Sequence, residues 1–137
     1  MKISTKGQYS LKAMVDLALN GADTLQTISQ IAERTQISET YLEQLLPRLR
    51  NAGLVESIRG AQGGYRLAKP LQDITAGEIL RAGEGNLIPV DCAITSDHAC
   101  PNEETCVTKY VWKRITEGIN EAADSITLAD LKDLRKE

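Results

Sequence analysis

The stretch that decides the fold is residues 38–67, SETYLEQLLPRLRNAGLVESIRGAQGGYRL. Its first half has the apolar spacing of an amphipathic helix, which Ser38 or Thr40 can cap and Gly53 ends. The apolar stripe of that helix consists of Leu42, Leu45, Leu46 and Leu49. The second half places two short strand patterns, LVESI and YRL, on either side of the glycine-rich turn RGAQGG. The stretch therefore predicts one helix followed by a β-hairpin.

Two more helices are predicted upstream of this stretch. Thr5 with Gln8, and Thr27 with Gln30, have the spacing of capping boxes at helix starts. Each pair is followed by apolar residues at helical spacing, and a tight turn separates the second helix from the third. Two short helices joined by such a turn form a helix-turn-helix, and a hairpin after them completes a winged-helix plan.

The second half of the chain predicts three further helical segments. Thr75 and Glu78 form another capping box, which opens a short helix ended by Gly83 and Gly85. Residues 107–126 form a long helical pattern with one apolar stripe, made of Val111, Ile115, Ile119, Ala122 and Ile126. Thr127 with Asp130 caps a last helix. The stripe of the long helix can pack within the chain or pair with a second copy.

Charge is divided unevenly along the chain. Residues 1–70 carry nine Lys or Arg against six Asp or Glu, whereas residues 71–137 carry seven against thirteen. A basic half on an acidic chain is typical of a surface that binds a polyanion, although scattered solvated charges account for it equally well.

Several function classes are excluded by what the sequence lacks. Its 137 residues contain no Walker loop, GxGxxG, HExxH or GxSxG motif and only one His, so no enzyme is predicted. Aromatic residues make up 4% of the chain, too few for a platform on which single-stranded bases stack. No apolar run is long enough to cross a bilayer and no signal peptide is visible, so we expect a cytoplasmic protein with no membrane partner.

The predicted third helix and hairpin carry groups suited to duplex DNA. The exposed helix face offers Glu39, Thr40, Glu43 and Gln44, whose side chains can hydrogen-bond to base edges. In the hairpin turn, glycines let the backbone approach a phosphate closely, and Arg59 and Arg66 flank that turn. A plain helical domain with an ordinary hairpin explains the apolar stripe, but it leaves the basic hairpin tip unexplained.

Three cysteines lie in the irregular segment 84–106, at Cys92, Cys100 and Cys106. Their C-x7-C-x5-C spacing is neither a zinc ribbon nor a thioredoxin motif. The three cysteines have four alternative interpretations: buried structural thiols, a disulfide, redox-active thiols, or a zinc site completed by His98. On the residues alone, the segment predicts a metal site of unspecified kind.

The chain closely resembles the bacterial winged-helix repressor family of IscR, the iron–sulfur cluster regulator. The resemblance is carried by the motifs YLEQL, RLRNAGLV and RGAQGGY, by STKGQYSLKAMVDLAL at 4–19, and by the three cysteines in the same order. The resemblance covers residues 2 to about 130. It implies a mainly α fold with a small β-hairpin wing and a long dimerisation helix. The expected parts are a winged helix-turn-helix domain at 1–83, a cluster loop at 84–106, and the dimerisation and C-terminal helices at 107–137.

The resemblance also implies a function: a homodimeric transcriptional repressor of iron–sulfur cluster biogenesis genes that binds a roughly palindromic double-stranded DNA operator. By position, Glu43 matches the family's base-discriminating acid and Arg59 its wing-tip arginine. The remaining recognition-helix matches are Ser38, Thr40, Tyr41 and Gln44. Phosphate contacts are expected from Lys2, Lys6, Arg50 and the wing backbone at Gly60, Gly63 and Gly64.

The implied cofactor is a 2Fe-2S cluster on Cys92, Cys100 and Cys106. The fourth ligand departs from the IscR pattern, because Lys109 occupies the family's histidine position and an ammonium group has no lone pair to donate. Other relatives take the fourth ligand from position 8 or 12 of the partner subunit. In this chain those positions are Gln8 and Lys12, and both side chains are poor cluster ligands. His98 is the expected fourth ligand, with Asp97, Glu103 and Glu104 as nearby carboxylate candidates.

Three alternatives to this function stay open. Within the family, the chain could be a nitric-oxide sensor with a 4Fe-4S cluster, against which the missing acid at position 8 counts, or a thiol-sensing regulator of sulfur metabolism. In a different class, it could be a small redox or zinc protein that uses the same cysteines. That last alternative does not account for the helix-turn-helix or the basic wing.

Overall fold

The computed structural model describes residues 2–89 and 107–135. The elements in chain order are α1 Thr5–Leu19, α2 Ile28–Thr35, α3 Glu39–Asn51, β1 Val55–Ile58, β2 Gly64–Leu67, a 3-10 turn at Leu71–Asp73, α4 Ala76–Glu84, α5 Thr108–Asp124 and α6 Leu128–Arg135. The predicted fold class is therefore confirmed: the described residues are mainly helical, with a single antiparallel hairpin.

Local capping chemistry fixes most helix starts. The capping boxes of Thr27 with Gln30 and Thr75 with Glu78 are both formed, and at α3 the cap is Ser38. At α6, the backbone N–H of Thr127 donates to the Asp130 carboxylate at 3.0 Å. Caps of this kind satisfy backbone N–H groups that have no partner within the helix, and each stabilises the helix by about 1 kcal/mol.

Two predicted helix boundaries are wrong. The N-cap of α1 is Ser4, so Thr5 is already the first helical residue, and the Gln8 amide donates to the Ile3 carbonyl at 2.7 Å. At the other boundary, α4 runs through Gly83 to Glu84, and Gly85, with φ +95°, ends it alone. Gly83 fits inside the helix because α4 crosses α1 there, and an added Cβ would collide with Ser10.

The core lies where α1, α2 and α3 meet, and α4 and α6 close it. The apolar stripe of α3 points into it, and that helix continues through Pro47 without ending. The largest fully buried side chains of this core include Met14, Leu17, Ile31, Leu42, Leu46, Leu49, Ile74, Ile79 and Leu128. At roughly 1.5–3 kcal/mol for each large apolar side chain, this burial holds α3 firmly in place.

The hairpin pairs Val55 with Leu67 and Ile58 with Gly64. It is also bonded to the segment before α2, because Gln26 and Tyr65 exchange backbone hydrogen bonds of 2.8 and 2.7 Å. Gly64 permits that approach: a Cβ there would lie 2.6 Å from the carbonyl oxygen of Gln26. The wing is therefore fixed to the helical core on the side of β2.

The long helix α5 lies mostly outside the core. It spans 17 residues, none of them buried, and contacts α4 through Arg81, which donates to Asn120 at 2.9 Å and forms an ion pair with Asp124. Within residues 2–89 and 107–135, no helix has the length and apolar character needed to cross a membrane.

Candidate nucleic-acid interface

The outward edge of α3 is polar and exposed. Burial of the leucine stripe turns the opposite face outward, so Glu39, Thr40, Glu43 and Gln44 are exposed, as is the cap Ser38. The Ser38 hydroxyl accepts the N–H of Tyr41 at 3.1 Å, which fixes the first turn. A carboxylate can accept from the cytosine amino group and a carboxamide can pair with adenine, so this edge can read base pairs in a major groove.

The side chain of Tyr41 is held in place by contacts within the protein. Its ring is half-buried and packs edge-on against Tyr9 of α1, with centroids 5.3 Å apart and an interplanar angle of 75°. The same region contains a small hollow lined by Lys6, Tyr41, Gln44, Leu45 and Arg48. The structure thus brings Lys6 of α1 beside Tyr41 and Gln44, two of the residues predicted to contact DNA.

A second depression lies between the wing and α2, with a volume of about 460 Å³. The predicted residues Arg50, Arg59, Gly60, Gly63 and Gly64 all line it, together with Thr27, Ile28, Ser57, Ile58 and Tyr65. The Arg50 guanidinium lies 3.5 Å from the Ser57 hydroxyl, at the outer limit of a hydrogen bond. Two arginines and an accessible glycine backbone suit a polyanion such as a phosphate chain.

Not every cation near the wing is available for phosphate. Arg66 donates to the Glu56 carboxylate at 3.0 Å across the hairpin, so its charge is locally compensated. Farther away, Lys69 donates to Glu78 at 2.8 Å and lowers the pKa of that carboxyl group, although burial opposes the shift. Arg50 and Arg59 line the depression beside the wing.

Some predicted residues are not brought into this interface. Lys2 is exposed, and no described contact places it beside α3 or the wing. Cys92, His98, Cys100 and Cys106 lie outside the described residues. Within the part that the structure does describe, no three His, Cys, Asp or Glu side chains are grouped to hold a metal ion. Gln8 is used in the hydrogen bond to Ile3.

Sequence reasoning missed Tyr9 and Arg48. Tyr9 supports Tyr41, and the Arg48 guanidinium donates to the Gly83 carbonyl at 3.3 Å, which connects α3 to α4. The signal for Arg48 was its spacing, because positions 41, 44 or 45, and 48 lie along one helix face. Tyr9 had no comparable signal, since its partner comes 32 residues later in the chain.

Comparison with known proteins agrees with this geometry. The Rrf2 family model, described as an iron-dependent transcriptional regulator, matches residues 3–133. This chain belongs to the Rrf2 family. It is 44% identical over 131 residues to the HTH-type transcriptional regulator CymR of Bacillus subtilis, covering 96% of this chain and 89% of CymR. It is 37% identical over 131 residues to IscR of Erwinia tasmaniensis, covering 96% of this chain and 78% of that protein.

Solved structures of a CymR and of an IscR are both similar to this Rrf2 chain. The structure of CymR, the global cysteine regulator of B. subtilis, has a TM-score of 0.77 and 43% identity and covers 98% of both chains. That of T. potens IscR has a TM-score of 0.75 and 47% identity, covering 98% of this chain and 88% of the other. The expected resemblance to IscR-type regulators is confirmed, and the Rrf2 chain is a transcriptional regulator by family.

Proposed function

We propose that this Rrf2 chain is a homodimeric repressor that acts in the cytoplasm and binds a roughly palindromic double-stranded DNA operator. The observation that carries the proposal is the exposed polar edge of α3, with Lys6 on one side and the depression lined by Arg50 and Arg59 on the other. A major-groove reader needs such an edge between two sets of phosphate contacts.

Each residue has a distinct role in the proposal. Lys2, Lys6, Arg50 and the wing backbone bind phosphates and so position the protein on the duplex. Glu43, Gln44 and Arg59 discriminate between bases. Glu43 repels phosphate and is desolvated on binding, so it favours only those sequences that offer a hydrogen-bond donor at its position.

The test is operator binding across a salt series, with duplexes selected from a random pool. Arg50→Ala is expected to reduce the slope of log affinity against log salt by about one unit, because one cationic contact to phosphate is lost. The matched control replaces Glu56 and Arg66 together by Gln, which removes a compensated pair and leaves net charge unchanged. Salt-independent binding by the wild type contradicts the proposal, as does an equal effect of the two variants.

The proposed signal is a 2Fe-2S cluster on Cys92, Cys100 and Cys106, with His98 as the fourth ligand, in a repressor of iron–sulfur cluster biogenesis genes. Three thiolates suit such a cluster chemically, whereas Lys109 at the family's histidine position does not. When bound, the cluster supplies a redox-sensitive charge. The protein purified without oxygen is expected to contain iron and acid-labile sulfide. Stoichiometric zinc without iron contradicts this signal.

A second candidate signal is the thiols themselves. The 44% identity to CymR, and a TM-score of 0.77 to the structure of that global cysteine regulator, favour a regulator of sulfur metabolism that works without a cluster. In that case, cluster-free protein changes its operator affinity on mild oxidation and regains it on reduction. Cluster-free protein whose affinity is the same in both states contradicts this candidate.

A further inference from the structure

The first turn of α1 has an incomplete cap. Its N-cap Ser4 accepts the N–H of Gly7 at 3.4 Å through its hydroxyl. In a complete capping box, the side chain three residues later accepts the backbone N–H of the N-cap residue in return. Here that position is Gly7, which has no side chain. The helix cannot complete its own capping box.

Glu84, the last residue of α4, supplies the missing carboxylate. Its Oε2 accepts the backbone N–H of Ser4 at 2.7 Å and is also hydrogen-bonded to the Ser4 hydroxyl. A Cβ added to Gly7 would lie 2.9 Å from that Oε2 and 3.3 Å from the Glu84 Cβ. The absent side chain of Gly7 thus leaves the space that Glu84 occupies. A negative charge there is also favoured by the dipole of α1.

The capped turn carries a DNA-facing residue. Lys6 is in the first turn of α1 and lines the hollow beside Gln44 and Arg48. Arg48 in turn donates to the carbonyl of Gly83, the neighbour of Glu84. The last turn of α4 therefore contacts both the first turn of α1, which carries Lys6, and Arg48 of α3.

The same turn is also connected to the long helix. Arg81 donates to the Asn120 side chain at 2.9 Å, and Asn120 donates to the Leu87 carbonyl at 3.0 Å. Contacts on both sides of Glu84 in the sequence thus reach α5. The end of α4 therefore contacts both α1 and α5.

We propose that Glu84 is a positioning residue for DNA binding: it completes the cap of α1 from α4 and so holds Lys6 at the phosphate backbone. The inference rests on the proposed DNA-binding function and deepens it. Glu84 itself does not touch DNA. Without its carboxylate, the first turn of α1 frays and Lys6 loses its fixed place beside Gln44.

Glu84→Ala separates this role from simple electrostatics. Removing a negative charge near DNA would by itself tighten binding, whereas loss of the cap weakens it. We expect operator affinity to fall about three- to tenfold and the salt slope to fall by up to one unit. The control is Glu78→Ala, which removes the same charge and a capping carboxylate from the other end of α4. Because that variant also frees Lys69 from its ion pair, its salt slope is expected not to fall.

A rescue variant makes the test specific to the cap. Gly7→Glu combined with Glu84→Ala moves the carboxylate into α1 and rebuilds a capping box within the helix, so the salt slope is expected to return to the wild-type value. The rescue variant also carries Ile3→Ala, because the Ile3 Cγ2 would lie 2.9 Å from the Cβ added at Gly7. If Glu84→Ala does not fold, Glu84→Gln, which keeps one acceptor oxygen, is measured with the same control. Circular dichroism establishes that each variant is folded.

The outcomes distinguish two failures. Wild-type binding without salt dependence refutes the DNA-binding function itself. Salt-dependent wild-type binding that Glu84→Ala leaves unchanged or tightens refutes only the positioning role. An equal fall in slope for Glu78→Ala, or no recovery in the folded rescue variant, refutes it too.

Discussion

At the scale of single residues, the acidic group on the recognition edge is the most informative. Glu43 is exposed on α3, where its charge opposes a phosphate backbone. A carboxylate placed there weakens binding to most sequences and is tolerated only where a base donates to it. We therefore expect Glu43 to affect the preference among DNA sequences more than the overall affinity for DNA.

Glu43→Ala is expected to relax base preference at one operator position by about 1–3 kcal/mol, the usual size of one good base contact. Competition binding against operators changed one base pair at a time measures it. Glu33→Ala, which removes the same charge from the exposed surface of α2, is the control and should shift the affinity for every sequence alike. An affinity change for Glu43→Ala that is uniform across all sequences contradicts the role.

A second residue-scale feature is the ion pair between α1 and α2. Asp16 is 8% exposed and accepts from Arg34 at 2.9 Å, and its side chain also accepts from Asn20 at 3.1 Å. The carboxylate raises the pKa of Arg34 above its already high ordinary value. The two partners differ in exposure, since 30% of the Arg34 side chain remains accessible.

This difference in exposure predicts that replacing either partner lowers the free energy of unfolding by a different amount. Arg34→Met leaves a buried carboxylate without its cation and should cost about 2–4 kcal/mol, whereas Asp16→Asn leaves an arginine that can reach water and should cost about 1–2 kcal/mol. Urea unfolding measures both values. Equal costs, or the reverse order, show that the carboxylate is solvated well enough without Arg34.

At the scale of elements, local patterns predicted more than distant contacts did. The leucine stripe fixed α3, and glycine with strand patterns fixed the hairpin, because both signals lie within about ten residues. The sequence predicts a cap of α1 at Thr5 and Gln8, whereas the N-cap is Ser4 and the carboxylate that completes it, Glu84, is 80 positions away. The sequence also predicts a helix end at Gly83. The glycine is needed there because α4 crosses α1 at Ser10, and such a tertiary contact leaves no local signal. The cysteine ligands remain predictions.

The wing offers an element-scale prediction. Gly64→Ala adds a Cβ 2.6 Å from the Gln26 carbonyl, so the bridge that ties β2 to the core must open, at an expected cost of about 1–3 kcal/mol. Gly60→Ala is the matched control, because Gly60 also has positive φ, +116°, but no atom lies within 4 Å of an added Cβ. Thermal unfolding compares them. Equal losses mean that backbone strain alone, and not the contact with Gln26, sets the cost.

At the scale of the whole molecule, the polar edge of α3 that we propose to bind DNA is accompanied by an exposed apolar face on the long helix α5. Val111 and Ile115 are 47% and 40% exposed, and Gly118 and Ala122 follow them at alternating spacings of three and four residues. This is the repeat by which two helices pack together. A glycine within a helix costs stability, and Gly118 has open space where a Cβ would be, which suits close approach of a second α5.

If α5 pairs the two subunits, it also sets the distance between their recognition helices, which must reach half-sites about 34 Å apart. The double variant Val111→Glu and Ile115→Glu is expected to sediment as a folded monomer, because α5 buries no residue in the single chain. It should bind a full operator no more tightly than a half-site. Lys113→Glu, on the opposite side of α5, is the control and should stay dimeric. A double variant that remains a dimer with full operator affinity would place the subunit contact elsewhere in the molecule.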